Sequence, residues 1–236
     1  MGRERIALSF SSGKDSVMAL HRLLFDLADE YEVVLLMTTA NETFERSSIH
    51  GVRAELLRAQ AEAICLPLKV VWLPNPCPSE KYQEVMAKAC DELKARDIEA
   101  VAFGDIFLED VRQYREEMLA KAGMRAIFPL WGKNPDDIVN EFIDLGYKAK
   151  ITCVDLTRLD QNFSGRELDR QFLADLPQEV DVCGENGEYH SFVYDGPVFA
   201  WPIDVAAGEK RMTEDVYSGQ IRFCFTDFIF QVKDNE

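Results

Sequence analysis

Short, uninterrupted apolar runs alternate with helical stripes through the first half of the chain, and this alternation constrains the fold more than any other feature. The runs lie at residues 6–10, 33–39, 68–73, 100–104 and 126–130. They are continuous, as expected of parallel strands that are buried on both faces. The stripes between them repeat at three- and four-residue spacing, which is typical of amphipathic helices. This order predicts an α/β fold with a doubly wound, Rossmann-like parallel sheet.

After residue 130 the alternation of apolar runs and helical stripes becomes less regular. Asn134, followed at once by a proline and two acidic residues, predicts the start of a helix that ends at Gly146. A strand at 148–156 and a helix at 166–176 are predicted next, and most of the remaining chain has strand-like patterning. The second half therefore predicts a smaller α+β domain rather than a continuation of the parallel sheet.

The chain of 236 residues suits one large domain or two modest ones, and the change of pattern favours two. We predict a first domain over residues 1–130 and a second domain over residues 131–236. Aromatic side chains are concentrated at residues 221–232, near the end of the second domain. Strands of this kind belong either in a domain core or between two copies of the chain, so a homodimer stays open.

Charge and hydropathy restrict the partners that the chain can have. Twenty-six basic residues stand against forty-two acidic ones, which gives a formal net charge of −16. Coating nucleic acid or anionic lipid requires a positive field, so this balance argues against both. No apolar run approaches the roughly 18 residues that a membrane-spanning helix needs. The charged start at residues 1–5 precedes an apolar stretch too short for a signal peptide, and a cytoplasmic protein is expected.

Cysteine and histidine do not form a metal-binding pattern. The six cysteines are scattered singly, and only three histidines are present, so a zinc site is not expected. Cys65, Cys90, Cys153 and Cys224 lie in apolar periodic segments and are interpreted as core residues.

The turn after the first strand carries the clearest chemical signal. Residues Ser11–Ser16 read SSGKDS, and they join the first strand to the first helix at the edge where such sheets bind ligands. Small residues let backbone N–H groups converge, the helix N-terminus adds positive potential, and Lys14 adds a cation. The spacing is not that of a Walker A loop, because Leu8 stands where the first glycine is required. The turn therefore predicts an anion-binding loop of another kind.

The string SSGKDS closely resembles the SGGKDS loop of the PP-loop ATP pyrophosphatases, which split ATP into AMP and pyrophosphate. The first glycine of that loop is a serine in this chain. The resemblance implies a pyrophosphate site formed by Ser11, Ser12, Gly13, Lys14, Asp15 and Ser16.

Three later motifs narrow the resemblance. Gly104-Asp105-Ile106 ends the fourth apolar run, PLWG at 129–132 closes the fifth, and GENGEY at 184–189 is followed by DGP at 195–197. This order is similar to that of the diphthine–ammonia ligase family, from the PP-loop to about residue 199. Because Asp105 follows a parallel strand, it is expected at the ligand-binding edge of the sheet.

The resemblance implies ATP-dependent amidation of the diphthine carboxylate on a translation elongation factor. Hydroxide is a poor leaving group, so the carboxylate is first activated as an acyl-adenylate with release of pyrophosphate, and ammonia then displaces AMP. Such an enzyme must neutralise the pyrophosphate and align the reactants. The implied cofactors are ATP and Mg²⁺, and the implied partners are ammonia and the carboxylate acceptor.

Site residues follow from the resemblance and from their positions in the chain. The predicted catalytic residues are Lys14, Asp105, Glu185 and Glu188. Nucleotide binding is predicted for the six loop residues with Thr38 and Gly104, and Mg²⁺ binding for Asp15 and Asp105. The predicted substrate-binding residues are His50, Glu185, Gly187, Glu188 and Tyr189.

The chain departs from the family pattern in the acidic loop. Many family members favour EGGE-[FY]-E there, whereas this chain has Asn186 in place of a glycine and His190 in place of the last glutamate. These changes indicate a divergent branch whose carboxylate acceptor can differ. Two alternatives stay open: a PP-loop tRNA-modifying enzyme and a non-catalytic adenine-nucleotide sensor. The first usually needs a basic surface and often paired cysteines, neither of which the sequence contains.

Overall fold

The protein is described by a computed structural model that covers residues 2–48, 50–214 and 219–231. The chain divides into two compact units. The first comprises Met1–Ser11, Asp15–Ser48 and Cys65–Lys133, and the second comprises Ser12–Lys14, Ile49–Ile64 and Asn134–Glu236. Residues 12–14 and 50–64 are thus grouped with the C-terminal half of the chain.

The first unit contains a six-stranded sheet. Its strands are β1 (Glu4–Ser9), β2 (Tyr31–Asn41), β3 (Arg46–Ser47), β4 (Leu68–Leu73), β5 (Ala100–Ala102) and β6 (Arg125–Ile127). The order β2-β1-β5-β6 is parallel throughout, β4 pairs with β2 in parallel, and only the short β3 is antiparallel. The predicted α/β class is confirmed.

The connections of this sheet change direction between β1 and β5. From β1 the chain moves outward to β2 and β4, and it then returns to the other side of β1 to form β5 and β6. The carboxyl ends of strands at such a switch point are where open parallel sheets bind ligands. The phosphate-binding loop predicted at 11–16 follows β1, and Gly104 and Asp105 follow β5.

Helices α1 (Lys14–His21), α3 (Ser79–Lys94) and α4 (Glu109–Lys121) accompany this sheet, and a π-helical turn at Arg22–Asp26 extends α1. The apolar faces of α3 and α4 pack on one face of the sheet. The buried cluster there includes Leu35, Val71, Met86, Leu93, Val101, Phe103 and Leu119. Burying each large apolar side chain contributes about 1.5–3 kcal/mol, so this cluster fixes the strand ends that carry the site.

The second unit contains a separate antiparallel sheet in the order β8-β7-β10-β9. Its strands are β7 (Lys148–Asp155), β8 (Tyr189–Asp195), β9 (Val205–Glu214) and β10 (Ile221–Phe230). Helices α2 (Ala54–Ile64), α5 (Pro135–Asp144) and α6 (Arg170–Asp175) complete the unit, with a 3₁₀ turn at Gln161–Phe163. As predicted, Asn134 caps α5, and its side chain accepts a hydrogen bond from Asp136 N at 2.9 Å.

Two predictions about local structure are wrong. The helix expected at 166–176 begins only at Arg170, because residues before it hydrogen-bond to β7 instead: Ile151 N donates to Arg166 O and Leu168 N to Ala149 O. Cys65 is exposed rather than part of a core, since it lies just after the end of α2, where its φ of +61° breaks the helical path. Among the described residues, no helix combines the length and apolarity needed to cross a membrane.

Candidate functional site

In the first unit, the loop after β1 and the start of α1 pack directly on the end of β5. The hydroxyls of Ser11 and Ser16 are hydrogen-bonded at 3.2 Å, which ties the two ends of the loop together. A Cβ on Gly104 would lie 2.8 Å from the carbonyl carbon and oxygen of Asp15 and 3.0 Å from Ser16 N. Gly104 therefore allows the end of β5 to approach the backbone of the loop.

We expect Gly104→Ala to destabilise the first unit by about 1–3 kcal/mol, because the added methyl group meets backbone that cannot rotate away. The shift of the loop should also weaken ATP binding. Urea unfolding and calorimetric titration with ATP measure the two effects. Gly208→Ala is a matched control, because its new Cβ would meet the backbone only at an ordinary 3.5 Å. Unchanged stability and unchanged ATP affinity in Gly104→Ala would contradict the close approach.

Asp105 forms an ion pair with Arg115 of α4. Arg115 Nη2 donates to Asp105 Oδ1 at 3.0 Å, and Arg115 Nε lies 2.6 Å from Asp105 Oδ2. The same guanidinium lies 4.4 Å from the centre of the Phe103 ring. Arg115 was not among the predicted site residues, since nothing in a polar helical stripe singles out one arginine. Asp105 is thus held in place and electrically neutralised by its partner.

The prediction that Asp15 and Asp105 bind Mg²⁺ stays a prediction. Both oxygens of Asp105 face the Arg115 guanidinium. Within the described ranges, no group of three or more His, Cys, Asp and Glu side chains is arranged to hold a metal ion. Mg²⁺ usually takes one or two carboxylates together with substrate phosphates and water. No step of the mechanism below therefore depends on a metal held at Asp105.

Thr38, which is predicted to bind nucleotide, lies on β2. Its side chain is buried, and the neighbouring Met37 O accepts a hydrogen bond from Phe10 N at 2.7 Å. The cavity at the ends of β1, β2 and β5 has a volume of about 30 Å³ and is lined by Ser9, Thr38 and Arg115 among others. A volume of this size suits a water molecule.

In the second unit, residues 12–14 of the loop are held by β8 and α2. Ser12 O accepts from Val193 N at 3.0 Å and from Gln60 Nε2 at 3.0 Å, and the Gln60 amide also donates to Val193 O at 2.6 Å. Lys14 N donates to Ser191 Oγ at 3.1 Å, and only 1% of Lys14 is exposed. The backbone of residues 12–14 is therefore held in position, and Gln60 and Ser191, which hold it, were not predicted.

Ser12 occupies a backbone conformation that favours glycine. Its φ is +75°, in the left-handed region, and its buried hydroxyl has no hydrogen-bond partner within the described structure. Glycine stands at this position in the loop that the chain resembles. Both the left-handed conformation and the unpaired hydroxyl lower the free energy of unfolding.

We expect Ser12→Gly to keep or raise the free energy of unfolding by up to about 1 kcal/mol, because it removes left-handed strain that costs a non-glycine residue about 1–2 kcal/mol. The greater flexibility of glycine in the unfolded chain offsets part of this gain. Ser12→Ala is the control, since it removes the hydroxyl and keeps the strain. Urea unfolding of the two variants separates the effects, and a marked destabilisation by Ser12→Gly would contradict the interpretation.

The acidic loop before β8 is built around the buried carboxylate of Glu188, of which 4% is exposed. Its Oε1 accepts from Asp181 N and from Asn186 Nδ2, each at 3.2 Å. Its Oε2 is buried without a hydrogen-bond partner in the described structure. A buried carboxylate oxygen of this kind favours a ligand that donates an N–H.

The other predicted residues of this loop shape it. Tyr189 is buried, and its hydroxyl donates to Val182 O at 2.5 Å. Its ring packs against Gly184, where an added Cβ would lie 2.9 Å from ring carbons. Glu185 N donates to Asp181 Oδ2 at 2.8 Å, and Gly187 has a φ of +87° with open space around it.

Two of the three histidines converge beside the loop residues of the second unit. The rings of His50 and His190 are 4.6 Å apart. His50 Nδ1 lies 3.1 Å from Ser191 O, and a Cβ on Gly13 would lie 2.8 Å from His50 Cε1. Burial, and then the charges of His50 and Lys14, lower the pKa of His190 to about 3. His50 was predicted in the site, whereas His190 was noted only as a departure from the family pattern.

The sequence matches models of two domains that together form one family. Residues 4–126 match the diphthamide synthase N-terminal domain, and residues 134–222 match the diphthamide synthase C-terminal domain. The two matched ranges leave residues 127–133 between them.

Curated proteins that resemble the chain carry one name, diphthine–ammonia ligase. The protein of Homo sapiens is 25% identical over 228 residues, which cover 87% of this chain and 84% of that protein. The protein of Mus musculus is 25% identical over 230 residues, covering 88% of this chain and 85% of its own length. The protein of Schizosaccharomyces pombe is 32% identical over 142 residues, which are 58% of this chain and 23% of that protein.

Proposed function

The chain belongs to the diphthamide synthase family and is an ATP-dependent ligase, and on this premise we propose that it amidates a diphthine carboxylate with ammonia. We further propose that the carboxylate is activated as an acyl-adenylate, with release of pyrophosphate, before ammonia displaces AMP. The acceptor would be carried by a translation elongation factor, and the reaction would take place in the cytoplasm, where translation occurs.

The burial and fixed position of Lys14 support this proposal most directly. Its backbone N–H is held by Ser191 Oγ, and the preceding carbonyl of Ser12 is held by two donors. A lysine fixed in this way at the start of α1 supplies a cation and a helix N-terminus for phosphate oxygens. When pyrophosphate leaves, negative charge develops on these oxygens, and a cation that is already in position stabilises that charge without reorganisation.

We assign Glu188 to binding the nitrogen donor. Ammonia is present in water chiefly as ammonium, and the unpartnered Oε2 of Glu188 offers an acceptor for an N–H of either species. Glu185 at the more open part of the loop is assigned to the acceptor, whose diphthine group is cationic. We assign Tyr189 and Gly187 to maintaining the conformation of the loop, because the Tyr189 hydroxyl already donates a hydrogen bond to Val182 O within the loop.

Asp105 keeps its assignment to the nucleotide-binding edge, where it acts together with Arg115. We keep the prediction of Mg²⁺ at Asp15 and Asp105 for an ion that arrives with the phosphates of ATP, since the described residues contain no cluster of three or more His, Cys, Asp and Glu side chains that could hold a metal ion alone. We retain the division near residue 130 into a nucleotide-binding part, 1–130, and a substrate-binding part, 131–236.

The test is exchange of labelled pyrophosphate into ATP. The purified protein would be given ATP, labelled pyrophosphate, magnesium and an elongation factor that carries diphthine, first without and then with ammonia. We expect exchange that requires the diphthine acceptor, and formation of diphthamide and AMP once ammonia is added. Exchange without the acceptor, or hydrolysis of ATP to ADP, would contradict the acyl-adenylate. Tight ATP binding without AMP formation would favour a nucleotide sensor instead.

A further inference from the structure

We propose that two exposed segments of the first unit dock a basic surface of the protein that carries the acceptor carboxylate. The segments are the hairpin tip at residues 42–45 and residues 107–110, where α4 begins. Together we call them the acidic rim. The docked partner is the acceptor of the proposed amidation, on which this proposal rests, and the rim holds it by contacts outside the reacting group.

Both segments of the acidic rim lie at the carboxyl edge of the parallel sheet, where nucleotide binding is proposed. The hairpin tip joins β2 to β3, and the second segment follows β5. β2 and β5 are the neighbours of β1 on either side, so the two segments flank the strand that leads into the phosphate loop. Adjacent strands are about 4.8 Å apart, which separates the paths of β2 and β5 by roughly 10 Å. A protein that brings a carboxylate to this edge therefore meets the rim.

The hairpin extends this edge outward and is held by hydrogen bonds. β2 last pairs with β1 at residue 37 and continues to residue 41, which adds about 13 Å of strand. Asn41 Oδ1 accepts from Thr43 N at 2.9 Å and from Phe44 N at 3.1 Å, and Glu42 N donates to Leu73 O at 3.0 Å. The tip is thus ordered before a partner arrives, which lowers the entropic cost of binding.

Each segment of the rim exposes a phenylalanine. Phe44 is 62% exposed, the highest value among the large apolar side chains that the structure describes, and Phe107 is 38% exposed. Single exposed apolar side chains are common on protein surfaces. Two aromatic side chains at one ligand-binding edge, one of them on an ordered hairpin, are instead typical of interface anchors.

The charge of the rim identifies the chemistry of the partner. Glu42 and Glu45 lie on the hairpin tip, Glu109 and Asp110 lie in the second segment, and all four are exposed. Arg46, at the base of the hairpin, is only partly exposed. Lysine and arginine side chains suit such a surface, because their stems pack on aromatic rings while their charges lie near carboxylates. The rim therefore fits a basic protein surface, and its charge disfavours acidic partners.

Kinetics with two acceptors test the docking. One acceptor is the elongation factor that carries diphthine, and the other is a short diphthine-bearing peptide, which is too small to cover the rim. We expect Phe44→Ala to raise KM for the elongation factor by roughly 10–100-fold, the usual loss at an interface anchor. We expect kcat, KM for ATP, the reaction of the peptide and thermal unfolding to match the wild type.

Phe25→Ala is the matched control for this substitution. Phe25 is 56% exposed and lies in the π-helical turn at Arg22–Asp26, where the chain returns from α1 towards the start of β2. That turn is at the opposite edge of the sheet, so both KM values should stay unchanged.

Surface plasmon resonance with the elongation factor as analyte tests the charges without catalysis. We expect the double variant Glu42→Gln/Glu45→Gln to lower the association rate by roughly tenfold at low salt and to weaken its salt dependence. Asp29→Asn/Glu30→Gln removes two exposed carboxylates just before β2, at the opposite edge, and should leave the association rate unchanged.

Other outcomes would overturn the proposal. They are an unchanged KM for the elongation factor in Phe44→Ala, an equal loss with the peptide, which would place Phe44 at the nucleotide, and wild-type association that is independent of salt. Self-association of the wild type that Phe44→Ala removes, measured by sedimentation, would assign the rim to a second copy of the chain. If the wild type shows no acceptor-dependent exchange, the proposed amidation fails. Binding of the elongation factor that Phe44→Ala weakens would then still support docking, and no wild-type binding would overturn it.

Discussion

Lys14→Ala should lower both acceptor-dependent pyrophosphate exchange and kcat/KM for ATP by roughly 10²–10³-fold, the usual cost of removing one preorganised donor that stabilises developing charge. The effect is large because the side chain is 99% buried and its backbone is held by Ser191 Oγ, so neighbouring groups and water cannot replace it. Loss of binding energy from a charged hydrogen bond, about 1.5–3 kcal/mol, should also appear directly as weaker ATP binding.

The fold should survive this substitution. A buried ammonium group carries a desolvation cost, so its removal need not lower the free energy of unfolding. Thermal unfolding checks this point, and Lys81→Ala, which removes an exposed lysine of α3, controls for the loss of one positive charge. ATP binding by Lys14→Ala that equals the wild type, with the fold intact, would remove the phosphate loop from the mechanism.

The net charge of −16 shows why these effects should be concentrated at one residue. The chain carries sixteen more acidic than basic residues, so its long-range field repels ATP. Attraction must therefore be local, from Lys14, the N-terminus of α1 and the loop N–H groups. In such a setting, one buried cation has few substitutes.

The sequence predicts the parallel sheet well because its signal is local. The apolar run at 68–73 coincides with β4, and the run at 33–39 lies inside β2. Strands buried on both faces must be apolar along their length, so the pattern alone identifies them. The two-residue strand β3 is not predictable, because its residues lie in a polar loop and pair only with the end of β2.

The helix at 166–176 shows where local patterns fail. Its apolar spacing suits a helix throughout, but the chain before Arg170 forms backbone hydrogen bonds with β7, and Asp169 caps a shorter helix by accepting from Phe172 N at 2.7 Å. The competing interaction is a strand that lies some fifteen residues away in sequence. Tertiary pairing outweighs helix propensity there.

The residues of the candidate site likewise include some that the sequence predicts and others that it does not. The loop at 11–16 and Asp105 follow from motif and strand order, whereas Arg115, Gln60 and Ser191 do not. Lys14 and Ser191 are 177 residues apart, so no local pattern connects them. Gln60 left one signal that sequence reasoning passed over, because it is a lone amide beside the apolar stripe of α2, and the structure buries it completely.

Glu188→Gln should lower amide formation by about 100-fold or more while leaving ATP binding and pyrophosphate exchange near wild-type values, because a neutral amide replaces a buried carboxylate whose Oε2 has no hydrogen-bond partner among the described residues. An amide has the same shape as the carboxylate but accepts more weakly and brings donors that repel an N–H. The defect should therefore appear mainly as a raised KM for ammonia.

The matched control is Glu179→Gln, which removes the same charge from an exposed residue of the second unit and should retain full activity. Initial rates at increasing ammonium concentration, measured beside exchange, distinguish a defect in the nitrogen donor from one in the nucleotide. Since Oε1 accepts from Asp181 N and Asn186 Nδ2, thermal unfolding verifies that the loop keeps its fold. If Glu188→Gln abolishes ATP binding, or leaves the KM for ammonia unchanged, Glu188 does not bind the nitrogen donor.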